Sequence, residues 1–453
     1  MSPSTLYFFF IFIKSKTLTF DSCVSFIEPR SIRLKQDLFR NLTQRLFIFL
    51  KSVVNKSLKY SHGEIMPKIV SNRALETPAS GIRKIFNKVA GMKDIVHLEI
   101  GEPDFDTPQP IKDAANRALI DGYTHYTHNA GLIELRATIA DYYRDFWGID
   151  IEAENTIVTI GGTGGLFLAL LATVDVNDEV LIPNPGYPPY TSMVKMIGAR
   201  PSYYILKEEN SFMPDLDEIN EKIMDRTEAI IVNTPNNPSG AVYPKEVLKG
   251  IVEIAEDNNL VVISDEVYER ITYDGVRHYS MLNFEEISDR VIVVNSFSKT
   301  FAMTGWRVGF AISRNLEIIQ NMTKLQESVA ACAPAMVQKA AIAALKECQE
   351  HVNSMVNAFE RRRDLLVRLL RSINDISFVV PKGTFYLMLN ISRYMYDSYE
   401  FVEKLLSEKK VAVAPGKAFG DNAEGYIRIS FANSEENIKT GIERLKEFLE
   451  SLE

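Results

Sequence analysis

Lys299 and Arg307 are two basic residues that stand beside predicted strands. Lys299 comes shortly after Val291–Val294, a run of β-branched residues without alternation, which is typical of a strand buried on both faces of a parallel sheet. Ligands of open α/β sheets bind at the carboxyl ends of such strands, where a partly desolvated lysine loses its proton more easily and can form a Schiff base. Arg307 precedes a second apolar run and offers a fixed guanidinium. An amine and a guanidinium at one edge suit a ligand that carries both an aldehyde and a phosphate.

A glycine-rich stretch, Gly161-Gly-Thr-Gly-Gly165, is predicted as a loop that opens a helix from Leu166. Free backbone N–H groups, the Thr163 hydroxyl and the helix dipole would together form a phosphate site. A dinucleotide-binding fingerprint would need glycine at position 167, which is Phe167. A plain tight turn remains the alternative, and this stretch alone does not decide between a turn and phosphate binding.

Asp265 follows the apolar run Leu260–Ser264, so its carboxylate is expected to be desolvated. A buried carboxylate is costly unless it faces a cation, and a protonated pyridine nitrogen would be one. A helix N-cap or a structural salt bridge is the alternative. Tyr268, three residues later, and Asn237, held before a Pro-Ser-Gly turn, are placed to reach a phenolic oxygen of the same ligand.

Strands and helices alternate through the middle of the chain, which predicts a largely parallel sheet. Beyond about residue 340 the pattern changes to long helices and short strands, typical of a smaller α+β domain. We therefore predict a large domain over residues 109–340 and a small domain formed by residues 66–108 with 341–453.

The 453 residues carry a net charge of −8, which gives no indication of nucleic-acid binding. The three cysteines are far apart, so neither a disulfide framework nor a cysteine metal site is expected, and a reducing cytosol is the simplest compartment. We assign no metal, because no ligand spacing is formed by the histidines considered, His125, His128 and His278.

Residues 1–65 differ from the rest, with ten Lys or Arg against four Asp or Glu and nine of the 25 phenylalanines. Their apolar runs are too short to span a bilayer, and the basic residues follow the first run, unlike the order in a signal peptide. A mitochondrial-type leader is one reading. We interpret Met66 as the natural start and residues 1–65 as an extra segment outside the working fold.

From about Met66 onward the chain resembles the class I/II aminotransferases of pyridoxal-phosphate fold type I, near the archaeal and bacterial aspartate and aromatic aminotransferases. The motifs that carry the resemblance are Gly101-Glu-Pro-Asp-Phe105, Asn236-Asn-Pro-Ser-Gly240, Ser264-Asp-Glu-Val-Tyr268, Ser296-x-Ser-Lys299 with Arg307, and Tyr426-Ile-Arg428-Ile-Ser430. The resemblance implies an α/β fold with a mostly parallel, seven-stranded sheet and a smaller α+β domain. It also implies a homodimer with shared active sites, for which the cysteine content predicts a cytoplasmic location.

The resemblance further implies that Lys299 forms an aldimine with pyridoxal 5'-phosphate and then acts as acid and base, while Asp265 keeps the pyridine nitrogen protonated. The residues implied to surround the phosphate are Gly162, Thr163, Ser296, Ser298 and Arg307, and Tyr126 is implied to reach the phosphate of the neighbouring subunit. Tyr187 is implied to stack on the face of the ring, and Asn237 and Tyr268 to bind its 3-oxygen. Arg428, with Gly101 and Asn237, is implied to bind the substrate carboxylate. Tyr187 and Tyr126 have the alternative of being ordinary core or surface aromatics.

The predicted function is the exchange of an amino group between an aspartate or aromatic L-amino acid and a 2-oxo acid such as 2-oxoglutarate. A C–S lyase, a synthase or a decarboxylase on the same fold is the alternative. A transcription factor built on this fold would carry a basic winged-helix domain ahead of the core, for which residues 1–65 are too short and too rich in phenylalanine. The identity of the donor is left open.

Overall fold

The computed structural model describes residues 69–78, 81, 85, 88, 89 and 91–452, so the predicted N-terminal segment 1–65 lies outside the described residues. The residues described from Asn72 onward belong to one compact unit. The strands are β1 Val96–His97, β2 Thr156–Thr159, β3 Glu179–Asn184, β4 Arg200–Ile205, β5 Thr227–Asn233, β6 Val261–Asp265, β7 Val291–Ser296, β8 Gly309–Ile312, β9 Ser377–Phe378, β10 Tyr386–Asn390, β11 Val411–Ala412, β12 Ala414–Pro415 and β13 Tyr426–Ser430. The α-helices are α1 Asn72–Glu76, α2 Gln109–Ile120, α3 Ile133–Tyr142, α4 Gly161–Thr173, α5 Pro189–Ile197, α6 Leu216–Lys222, α7 Lys245–Asp257, α8 Phe297–Thr300, α9 Leu316–Ala330, α10 Ala335–Glu347, α11 Gln349–Leu370, α12 Ser398–Lys409 and α13 Glu435–Glu450.

A seven-stranded sheet in the order β2-β8-β7-β6-β5-β3-β4 organises the middle of the chain. Neighbouring strands run parallel except at β8, which is antiparallel to both β2 and β7. The predicted α/β fold with a mostly parallel sheet is confirmed. Because β8 runs against β7, the residue before β8 and the residues after β7 lie at the same edge of the sheet.

The strands and helices form where burial on one or both faces favours them. All six residues of β7 are buried, as expected for a central strand covered by helices on both sides. Helix α7 buries Leu248, Ile251, Val252 and Ala255 at spacings of three and four residues, so it covers the sheet with one face.

The predicted loop at the glycine-rich stretch is instead the first turn of helix α4, which begins at Gly161. The two faces of this helix are apolar, because it packs on the sheet and is itself covered by helix α9. Its glycines allow the first turn to approach the neighbouring strands closely.

A second, four-stranded antiparallel sheet has the order β12-β13-β10-β9 and shares an apolar core with helices α12 and α13. These elements come from the late part of the chain, while β1 from the early part pairs with β11. The division into two domains at the boundaries given above stays a prediction. Within the described residues no helix combines the length and the hydrophobicity needed to cross a membrane.

Candidate active site

One cavity of about 460 Å³ lies at the edge of the seven-stranded sheet where β5, β6 and β7 end. Twelve of the thirteen predicted site residues line it: Gly101, Gly162, Thr163, Tyr187, Asn237, Asp265, Tyr268, Ser296, Ser298, Lys299, Arg307 and Arg428. The thirteenth, Tyr126, lies elsewhere on the surface with 89% of its area exposed. Residues from seven separate parts of the sequence therefore meet in one space.

Lys299 projects into the cavity from the short helix α8, directly after β7. Its amine donates a hydrogen bond to the backbone carbonyl of Gly101. Burial lowers the pKa of Lys299 to about 8, and the nearby carboxylate of Glu102 opposes this shift only in part. An amine with a pKa near neutrality can exchange protons under physiological conditions, so it meets the requirement for both a nucleophile and a general base.

Asp265 is the last residue of β6 and is 3% exposed. Its carboxylate accepts hydrogen bonds from the Tyr190 hydroxyl at 2.6 Å and from the Val267 backbone N–H at 3.3 Å, both of them neutral donors. Burial raises the pKa of Asp265 to about 6, against the effect of these two donors. A cation in the cavity would stabilise the ionised carboxylate. The predicted desolvation is observed, and the alternative of a helix N-cap does not hold, because the residue ends a strand and no helix follows directly.

Another group of residues at the cavity is suited to an anion. Gly161 has a φ of +66°, and a Cβ on it would lie 2.6 Å from Nη2 of Arg307, so only glycine lets the guanidinium lie against the start of helix α4. Arg307 itself has a φ of 55°, in the left-handed region, just before β8. The Ser296 hydroxyl lies 2.9 Å from that of Ser298. Helix N–H groups, two hydroxyls and a guanidinium make this a site for a phosphate-sized anion.

Tyr268 and Asn237 also line the cavity. The Tyr268 hydroxyl lies 2.9 Å from the hydroxyl of Tyr386, and burial raises the pKa of Tyr268 well above its ordinary value. The Asn237 side-chain oxygen accepts a hydrogen bond from Arg428 at 3.1 Å. Both side chains therefore offer neutral hydrogen-bonding groups to a ligand.

Arg428 is a buried cation in the middle of β13, with 2% of its area exposed. Its Nη2 donates to the backbone carbonyl of Glu99 at 2.7 Å, and its guanidinium carbon lies 4.1 Å from the ring centre of Tyr386. Within the described residues its Nε has no hydrogen-bond partner. Burial lowers the pKa of Arg428, so a ligand carboxylate would offset the cost of desolvating this charge.

Sequence reasoning missed two tyrosines that complete the cavity, Tyr190 and Tyr386. Tyr190 stands at the start of helix α5, three residues after Tyr187, and its nearness in the sequence to that predicted site residue could have indicated it. Tyr386 stands in an apolar strand, where a hydroxyl has few explanations other than a polar partner.

The sequence matches the profile of the family described as "Aminotransferase class I and II" over residues 93–445. A curated aspartate aminotransferase from Pyrococcus horikoshii is 44% identical over 383 residues, which are 84% of this chain and 97% of that protein. Aromatic-amino-acid aminotransferase 2 of Thermococcus litoralis is 39% identical, over 84% of this chain and 98% of its own length. A solved structure of Thermus thermophilus aspartate aminotransferase with maleate superposes with a TM-score of 0.80 at 36% identity, over 83% of this chain and 99% of that one.

Proposed function

The chain belongs to the class I and II aminotransferases, and on that premise we propose that it uses pyridoxal 5'-phosphate, bound at Lys299, to transfer the amino group of an aspartate or aromatic L-amino acid to a 2-oxo acid. One observation carries the proposal. Lys299, Asp265 and Arg428 line a single cavity; Asp265 and Arg428 are buried and Lys299 is half-buried, so each of them needs a ligand group of complementary charge or reactivity.

Pyridoxal phosphate fits the residues that line the cavity. The buried Asp265 carboxylate has neutral partners and suits a protonated pyridine nitrogen. The start of helix α4, the Ser296 and Ser298 hydroxyls and Arg307 suit the phosphate, and Gly161 leaves the space that this arrangement needs. When bound, this cofactor supplies an aldehyde that takes up an amino group and a ring that withdraws electrons.

The residues of this chain would divide the reaction among them. The Lys299 amine removes the proton from the substrate α-carbon and keeps it in the cavity, which its lowered pKa allows. Arg428 binds the α-carboxylate through two parallel N–H groups and, with the Asn237 amide, fixes the orientation of the α-carbon. Asp265, Tyr187 and Tyr268 all line the cavity. Asp265 would hold the ring nitrogen protonated, Tyr187 would cover the ring, and Tyr268 would donate to the ring oxygen.

We further propose a homodimer in which Tyr126 reaches the phosphate site of the neighbouring subunit. The support is its 89% exposure, which is unusual for a large aromatic side chain and leaves the ring available to a second chain.

We also propose that residues 109–340 form the cofactor-binding domain, and that residues 66–108 with 341–453 form the small domain that carries Arg428.

The function is tested by mixing the pyridoxal-phosphate form with one amino acid at a time, without any 2-oxo acid. We expect aspartate or an aromatic amino acid to convert the bound cofactor to its amine form and release one equivalent of the corresponding 2-oxo acid, which absorbance and mass spectrometry measure. Adding 2-oxoglutarate should then restore the starting spectrum. Release of ammonia, sulfide or CO₂ in place of this reversible exchange would contradict the proposal.

Replacing Arg428 by lysine tests the carboxylate contact. The substitution keeps the charge but removes the two-pronged geometry, so we expect the half-saturating amino acid concentration to rise at least about tenfold with a smaller change in kcat. Steady-state kinetics measure this, and an amino acid amide, which lacks the carboxylate, serves as the matched control substrate. An equal rise in the half-saturating concentration for the amino acid and for its amide would show that Arg428 does not bind the α-carboxylate.

A further inference from the structure

Three buried ionisable side chains lie just beyond Asp265: Glu266, Glu269 and His278, which are 0%, 4% and 2% exposed. Their polar atoms lie within 4.8 Å of one another. The Oε1 atom of Glu266 accepts hydrogen bonds from the Ser264 hydroxyl and the Met281 N–H, and its Oε2 lies 3.2 Å from Nε2 of His278. Both oxygens of Glu266 are therefore satisfied by protein groups, without a metal ion.

Glu269 accepts hydrogen bonds from two adjacent tyrosines. Tyr142 donates to Oε1 at 2.9 Å, and Tyr143 donates to Oε2 at 3.4 Å. The two tyrosines lie at the junction of helix α3 with the π-helical turn Tyr143–Trp147. They differ in one respect, because Tyr143 also accepts a hydrogen bond from the side-chain amide of Asn295 at 3.3 Å.

Asn295 connects Tyr143 with Ser296, which lines the cavity. The Ser296 backbone N–H donates to Oδ1 of Asn295 at 2.7 Å. A backbone N–H can only donate, so the atom that faces it is the amide oxygen, and the NH₂ group must face Tyr143. The donors thus point one way along the chain: from Ser296 to Asn295, from Asn295 to Tyr143, and from Tyr143 to Glu269.

A chain of donors that all point one way must end on an acceptor, and an ionised carboxylate accepts at both of its oxygens. Protonation of Glu269 removes its charge and places an O–H on one oxygen, so the hydrogen bond from Tyr143 is weakened, or lost where the proton sits on Oε2. We propose that Glu269 and Tyr143 are positioning residues whose hydrogen-bond chain fixes Ser296 at the phosphate end of the cofactor, so that protonation of Glu269 weakens cofactor binding. This inference rests on the proposed function, because it takes Ser296 as a phosphate contact.

The surroundings of Glu269 place its protonation close to neutral pH. Burial raises the pKa of Glu269 to about 7 and Glu266 adds to this effect, while His278, the Tyr142 hydroxyl and Arg270 oppose it. Glu269 is therefore ionised above about pH 7 and takes up a proton as the pH falls through that value. Cofactor binding should weaken over the same range, in the acidic direction.

The two tyrosines provide a matched pair of variants for the test. Tyr143→Phe interrupts the chain, whereas Tyr142→Phe removes a hydroxyl from the same carboxylate and leaves the chain intact. The measurement is the dissociation constant of pyridoxal phosphate, from fluorescence titration of the cofactor-free enzyme at pH 8 and at pH 6. Ionisation of the cofactor, of Lys299 and of Asp265 contributes to this pH dependence in every variant. The contribution of Glu269 is therefore the difference between the wild type and a variant in the ratio of the dissociation constants at pH 6 and pH 8.

We expect Tyr143→Phe to weaken binding at pH 8 by about tenfold, the usual scale for one buried hydrogen bond, and to reduce the ratio between pH 6 and pH 8. Glu269→Gln should reduce the ratio in the same way, since glutamine does not titrate. Tyr142→Phe should stay within about threefold of the wild type at pH 8 and should still bind the cofactor more weakly as the pH falls, because the carboxyl group that titrates is still present. Thermal melting monitored by circular dichroism checks that the variants are folded.

Two results would overturn the inference: equal effects of the two phenylalanine variants, or an unchanged pH ratio in Glu269→Gln. A wild-type protein that binds no pyridoxal phosphate at either pH would instead contradict the proposed function. The two failures are therefore distinguishable in the same titration.

Discussion

Replacing Lys299 by alanine should lower amino-group transfer by at least about 10³-fold, because a positioned general base alone contributes ~10²–10⁴ in rate. The residue is the only described lysine that lines the cavity, so the described part of this chain offers no second amine to take its place. Steady-state and single-turnover assays measure the loss. Borohydride treatment of the wild-type holoenzyme should modify the peptide that contains residue 299, and the alanine variant should lack this modification.

Lys299→Arg is the control for charge. Arginine keeps a cation of similar length but stays protonated, so it can neither act as a base nor attack a carbonyl. We expect it to be as inactive as the alanine variant. Turnover within about tenfold of the wild type in either variant would contradict the assignment of Lys299.

Replacing Asp265 by asparagine should lower turnover on the order of 10²–10³-fold, the scale seen when one preorganised electrostatic group is removed from an active site. Asparagine keeps the shape and can still accept from the Tyr190 hydroxyl, but it has no charge with which to hold a proton on the ring nitrogen. The measurement is kcat per equivalent of bound cofactor, so that weaker cofactor retention is counted separately.

Tyr190→Phe provides the comparison for Asp265→Asn. It removes a neutral donor at 2.6 Å and leaves the carboxylate charge in place, so we expect a loss of only about tenfold or less. Similar losses in the two variants would mean that the geometry around Asp265 matters and its charge does not.

The sequence was sufficient to predict those parts of the molecule whose signal is local. Uninterrupted β-branched runs predict buried strands such as β7. Asp265 and Lys299 stand close to the ends of two such runs, which predicts that both lie at one edge of the sheet. The observed cavity contains both. This prediction succeeds because the carboxyl ends of parallel strands lie at the same edge of the sheet, whatever the arrangement of the helices that connect the strands.

Other parts depend on contacts between distant residues and have no local signal. Tyr386 lies in the second sheet, and its approach to Tyr268 is set by how β10 packs beside the large sheet. The same is true of the chain from Ser296 to Glu269, which joins residues from β7, the turn after β6 and the π-helical turn after helix α3. The glycine-rich stretch was predicted as a loop, because glycine disfavours helices in isolation, and packing against β7 and β8 outweighs that preference.

The reversal of direction at β8 has a consequence for the size of ligand that the cavity accepts. Lys299 follows β7 and Arg307 precedes the antiparallel β8, so only the seven residues of one hairpin connection separate the group that would hold the aldehyde from the group that would hold the phosphate. The antiparallel register that pairs Ser296 with Gly309 holds both ends of this connection at the edge of the sheet. The pairing of β7 with β8 therefore sets the separation of the two groups, and with it the length of ligand that can be held at both ends.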